Sequence, residues 1–156
     1  MIILNLFLLL IGMLFCEGNA WHGIVPLKST RAEAEQILGE PMAGSVSRYG
    51  ASYRTKTEKV NIVYSTGNCD LKPSNGWNIP ELTVISVSVY PDVRPKFEKS
   101  KFDVPNLEIR KDPEITNLTY YTDEKMGLSI EVDTNENVIN SVSYSPESKD
   151  NSRRCK

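Results

Sequence analysis

Histidine is the scarcest chemical resource in this 156-residue chain: His22 is the only one. A Ser-His-Asp or Cys-His nucleophile needs an imidazole to take its proton, so those mechanisms have little to work with. No glycine-rich phosphate loop, His-Glu-x-x-His or Cys-x-x-Cys motif occurs. Charge of one sign is lacking as well. A net charge of −2 at pH 7 offers no basic field to nucleic acid and no polybasic patch to a membrane. Long apolar runs are missing except at Met1–Phe15, where Asn5 is the one strongly polar residue. That run is short of the about 20 residues that a bilayer span needs.

What stands there instead is an export signal. Gly18-Asn19-Ala20 sets small residues three and one before a cut, so residues 1–20 are expected to leave as a signal peptide, with the mature chain starting at Trp21. No Lys or Arg precedes the apolar run, which argues the other way. Lipidation of Cys16 would need a small residue before it, and Phe15 is bulky. Cleavage leaves Cys69 and Cys155, an even pair that reads as one disulfide outside the cytosol. Such a bond would tie the polar C-terminal tail to a mid-chain loop and contribute about 4 kcal/mol. The expected location is the periplasm or cell envelope, or the extracellular space, with no transmembrane span left after cleavage.

One stretch of the mature chain is marked as a helix at both ends. Thr30 and Glu33 have capping-box spacing, Gly39 suits the left-handed residue past the end, and Pro41 prevents resumption. Ala34, Ile37 and Leu38 share one face and predict a side that rests on a sheet. The rest reads as strands: Ala51–Thr57, Lys59–Ser65, Leu82–Tyr90, Asn117–Thr122, Leu128–Val132 and Val138–Tyr144. The stretch Phe97–Asp103 reads equally as a short helical turn or an irregular edge. The expected fold class is α+β, with one short N-terminal helix packed on an antiparallel sheet of about six strands. The domains follow as 1–20 signal peptide, 21–146 a single α+β domain, and 147–156 a polar tail tied by the disulfide. A faint internal echo would divide the strands into two three-stranded meanders, although strands that share a period of two and the same favoured residues can echo by chance. Tyr53 precedes Val60-Asn-Ile-Val-Tyr64 as Tyr121 precedes Leu128-Ser-Ile-Glu-Val132, and Ser86-Val-Ser-Val-Tyr-Pro91 matches Ser141-Val-Ser-Tyr-Ser-Pro146.

The run from Gly23 through Thr30, Glu33, Ile37-Leu38-Gly39 and Pro41, followed by tyrosine-bearing hairpins, resembles the opening of the BamE/SmpA (OmlA) lipoprotein family. That resemblance implies a helical N-terminus on a three-stranded sheet. The β-lactamase inhibitor proteins share that layout in tandem copies. Trp21–Leu27, Tyr64–Cys69, Gly76–Pro80 and Cys155 together resemble a group of uncharacterised exported bacterial proteins. The chain departs from BamE in lacking a good lipidation site, in having one convincing helix, and in carrying a second half.

The remaining candidates for chemistry are thin. His22, second in the mature chain, could join the free amine in a square-planar copper site, but no further ligand is marked. Asp133-Thr-Asn135-Glu-Asn137 opens like a calcium loop, yet Val138 stands where glycine belongs and Tyr144 where glutamate does. The carboxylate pairs Asp112/Glu114, Asp123/Glu124 and Glu131/Asp133 fall in turns or on strand faces, where charge is ordinarily just solvated. Asn117-Leu-Thr119 is a glycosylation acceptor in a eukaryotic setting. No catalytic, cofactor-binding or metal-ligating residue is therefore assigned. The long loop Thr66–Pro80 presents Asn75, Trp77 and Asn78 as candidate partner-binding residues, unless Trp77 folds back to cap the sheet. The expectation is an exported, non-enzymatic protein that binds an envelope or secreted protein or serves the envelope structurally, with no cofactor and no nucleic acid. The alternatives are a secreted inhibitor-type binder and a small carboxylate-dependent hydrolase.

Overall fold

The computed structural model describes residues 19–70, 76–99 and 107–156. Residues 1–18 of the expected signal peptide with Cys16, residues 71–75 with the candidate Asn75, and residues 100–106 lie outside the described residues.

The helix forms where the caps place it. α1 spans Arg31–Leu38, and Thr30 and Glu33 close the capping box. The Thr30 N–H donates to Glu33 Oε2 at 2.7 Å, while the Glu33 N–H donates to Thr30 Oγ1 at 3.3 Å. The first of these bonds, followed by the Thr30 hydroxyl, holds the Glu33 carboxyl below its ordinary pKa. Gly39 ends the helix at φ 82°, its N–H donating to Glu35 O at 2.8 Å. The apolar face is narrower than its spacing predicts. Ala34 is fully buried and Leu38 packs at the core's margin, but Ile37 remains 47 % exposed. Eight residues seat little more than one turn on the sheet, and Trp21 and Ile24 from the preceding segment fill the space beside Ala34.

The fold class corrects the expected α+β layout of about six strands. The chain is mainly β: the described strands form one continuous antiparallel sheet of seven, in the order β1-β2-β3-β7-β6-β5-β4. They are β1 Gly50–Arg54, β2 Glu58–Tyr64, β3 Val84–Pro91, β4 Glu108–Lys111, β5 Leu118–Asp123, β6 Leu128–Asp133 and β7 Val138–Tyr144. The unforeseen strand is β4. All four of its residues are exposed, so it carries no alternation of apolar and polar side chains to read. The two meanders are likewise not separate, because β3 and β7 pair at Val87–Tyr144, Ser88–Ser143 and Val89–Val142.

That junction relates the two sides of the sheet by a local two-fold. Shifting β3 by 55 residues takes Val87, Ser88 and Val89 onto Val142, Ser143 and Tyr144, so the three pairs exchange into themselves about Ser88–Ser143. The next rows keep that 55-residue shift in β3, while β2 maps onto β6 at a shift of 68. Ile62–Val87 answers to Ile130–Val142, Val63–Ser86 to Glu131–Ser141, and Tyr64–Val84 to Val132–Ile139. Both sides carry a register irregularity at that last step, between Val63 and Tyr64 and between Glu131 and Val132. The flanking bridges Thr30–Thr83 and Lys96–Val138 are equivalent too. The echo fails at the hairpins. Tyr53 pairs with Val60, but Leu128, in Val60's place, pairs with Asp123, so Tyr121 is not the counterpart of Tyr53.

One face of the sheet holds the core. Tyr53, Val60, Ile62, Tyr64, Val84, Val87 and Val89 pack with Trp21, Ile24 and Ala34 on one side; Leu128, Ile130, Val132 and Ile139 pack with Phe97 and Leu107 on the other. Tyr144 touches both clusters and joins them. The Tyr53 and Tyr64 hydroxyls share a hydrogen bond of 2.7 Å inside the core. Burial pushes both phenols above their ordinary pKa, because a phenolate there would lose its water.

Candidate functional site

The loop ahead of β3 does not present its tryptophan. Trp77 is 5 % exposed and packs with Leu27, Ile79 and the edge of Ile85. The Arg154 guanidinium lies over its ring at 4.6 Å, a cation–π contact that closes the remaining side. The C-terminal segment is stitched down around it. The tail contains a short 3₁₀ helix, Ser148–Arg153. Asn78 N–H donates to Arg153 O at 2.7 Å, and Cys155 N–H donates to Gly76 O at 3.0 Å. Cys69 and Cys155 are joined in a disulfide, their Cα atoms 5.5 Å apart. Trp77 therefore acts as a cap at the end of the sheet, Asn78 is exposed beside it, and Asn75 lies outside the described residues. The sequence spacing could not distinguish these outcomes, because the lid over the ring comes from a residue 77 positions away.

The other chemical candidates resolve into local structure. His22 is exposed at φ 48°, edge-on to Trp21 at 4.5 Å. Among the described residues no three His, Cys, Asp or Glu side chains gather as a metal site. Asp133 accepts from the N–H groups of Asn135 and Glu136 at 2.9 and 3.2 Å and from Asn117 Nδ2 at 3.2 Å, which makes it a turn former. Asp112 does the same for Glu114 and Ile115, both at 2.9 Å. Asp123 and Glu124 share a concavity of about 480 Å³ with Arg110 and Arg154. Asp123 is buried there and accepts from Met126 N–H at 3.1 Å, so one carboxylate oxygen is already committed to the β5–β6 turn.

The feature that the register creates lies on the face away from the core. The pairings place Ser52, Asn61, Ser88, Ser143, Ser129 and Thr122 in one line across β1, β2, β3, β7, β6 and β5. Every one is half-buried, small or medium-sized, and uncharged. Two links run along the line: Ser52 Oγ donates to Asn61 Oδ1 at 2.8 Å, and Ser88 Oγ meets Ser143 Oγ at 2.9 Å. Beyond Thr122 the row ends on Glu108 of β4, and the other long side chains stand one row away. Lys59, Tyr90, Glu131, Tyr120 and Arg110 border the line on one flank, with Tyr90 39 % exposed. Partial burial, then the Glu131 and Asp112 carboxylates, raises the Tyr120 phenol above its ordinary pKa. Serine is a poor strand residue by propensity, and a solvent-facing sheet is usually shielded by longer side chains. Here the centre of the face is left low.

Comparison with known proteins adds no identity: no family model, no curated protein and no solved structure matches the chain. No described helix is long and apolar enough to cross a membrane.

Proposed function

We propose that the chain is an exported, non-enzymatic protein of the cell envelope that binds a protein partner on the sheet face bearing the Ser52–Thr122 line. The observation that carries this reading is the line itself, six uncharged side chains aligned across six paired strands. Small hydroxyl residues let another surface come close to the backbone, and no charge in the line has to be desolvated on contact. Tyr90 and Tyr120 at its border supply the amphipathic rings that protein contacts favour. The Cys69–Cys155 disulfide supports export, since such bonds persist in oxidising compartments. The shared register of the two sides lends support to a second reading, a secreted inhibitor-type binder, since a tandem layout gives a broad face of this kind.

A long cation in the middle of the line tests the proposal. Ser88→Arg is expected to abolish recovery of the partner from native envelope or culture medium while leaving the melting temperature within a few degrees. Undiminished recovery with Ser88→Arg would remove the face from consideration. Recovery from envelope favours the first reading, and recovery from medium favours the inhibitor reading.

A further inference from the structure

The two edges of the sheet are finished differently. The outer side of β1 is occupied: Met42 N–H donates to Ser52 O at 2.8 Å, and Ser45 Oγ donates to Ser52 O at 3.0 Å while accepting from Ser52 N–H at 3.2 Å. β4 ends the sheet on the other side, and no described segment pairs with its outer edge. Its backbone polarity is fixed by its neighbour. Asp112 N–H donates inward to Leu118 O at 3.1 Å, so alternation turns Glu108 and Arg110 inward and Ile109 and Lys111 outward. Ile109 is also 59 % exposed, an apolar side chain on an open strand.

The charges on this edge select one way of pairing it with itself. Set antiparallel with Ile109 opposite Ile109, two β4 strands exchange both N–H···O bonds at that residue. Glu108 then stands opposite the second copy's Arg110, twice by symmetry, and the two Ile109 side chains cover each other. A slip of two residues in one direction sets Arg110 against Arg110; in the other it sets Glu108 against Glu108. A slip of one residue turns the outward backbone groups out of phase. Charged edge strands normally discourage pairing, but here the order Glu-Ile-Arg permits a single register and penalises its neighbours.

We propose that β4 is a self-association edge, where a second copy of this chain adds antiparallel about a two-fold axis at Ile109 and extends the sheet across both molecules. The contact is isologous, so it closes at a dimer. It is also short, so the association is weak and visible only as concentration rises.

Sedimentation equilibrium of the exported chain over a wide concentration range tests this with three proteins. The natural chain is expected to move from monomer to dimer. Arg110→Glu places Glu opposite Glu at both symmetric contacts and is expected to weaken the dimer about tenfold or more. Glu108→Arg combined with Arg110→Glu restores the opposition of unlike charges and is expected to restore the dimer. Both substitutions fall on exposed side chains, and equal melting temperatures would confirm folding. A natural chain that stays monomeric at the highest concentration overturns the proposal. So does an Arg110→Glu chain that dimerises like the natural one, or a double variant that does not recover.

Discussion

Replacing Cys69 and Cys155 together by serine is expected to lower the unfolding free energy by about 4 kcal/mol. The bond spans 86 residues of sequence, so its loss returns a large loop-closure entropy to the unfolded chain. Folded-state contacts multiply the effect in the same region. The Cys155–Gly76 and Asn78–Arg153 hydrogen bonds and the Arg154 lid over Trp77 all hang on a tail that the disulfide pins. Urea unfolding followed by fluorescence measures it. The double variant should show an earlier midpoint. A change below about 1 kcal/mol would mean that the tail holds its place through hydrogen bonds and packing alone.

Gly127→Ala is expected to cost about 3 kcal/mol or more, through a different mechanism. Gly127 has φ 62°, and a Cβ there would stand 2.0 Å from Ser145 O and 2.9 Å from Ser145 C. Both are backbone atoms, so no side chain can swing aside, and the same Ser145 donates its N–H to Gly127 O at 2.7 Å. The substitution has to move the end of β7 away from the β5–β6 turn. Gly44 is the control. Its φ of 73° is also positive, but a Cβ would meet nothing within 4 Å, so Gly44→Ala should cost only about 1 kcal/mol. Thermal unfolding of the two variants separates steric overlap from backbone strain. Equal losses would contradict the close approach of Ser145 to Gly127.

What could be read in advance follows the range of the forces involved. The α1 caps were legible because Thr30, Glu33 and Gly39 act on backbone groups within four residues. The strands with apolar alternation were legible for the same reason: Val60, Ile62, Val87, Val89 and Ile130 announce a buried face through local spacing. β4 was not, since an exposed edge of Glu, Ile, Arg and Lys has no buried face to announce. Ile37 looked like a core residue because helical spacing identifies a face without saying how much of it reaches the sheet. The disulfide pair was legible from cysteine count. The fate of Trp77 was not, since Arg154 and Leu27 approach it from opposite ends of the chain. The candidate binding line was only half visible. Ser86 and Ser88 could be placed on the face away from Val87, but nothing local aligns Ser88 with Asn61, Ser143 and Ser129.

The junction between β3 and β7 holds the sheet together, because without it the sheet is two pieces and the uncharged line is broken at its centre. Asp92 N–H points to β2, donating to Thr57 O at 2.9 Å, so Ser88 turns its backbone groups the same way and faces Ser143 as a non-hydrogen-bonded pair. In such a pair the two Hα atoms point at each other. A nuclear Overhauser measurement on the chain should therefore give a strong Ser88 Hα–Ser143 Hα cross-peak. With both resonances assigned, its absence would contradict the continuous sheet and the binding face built on it.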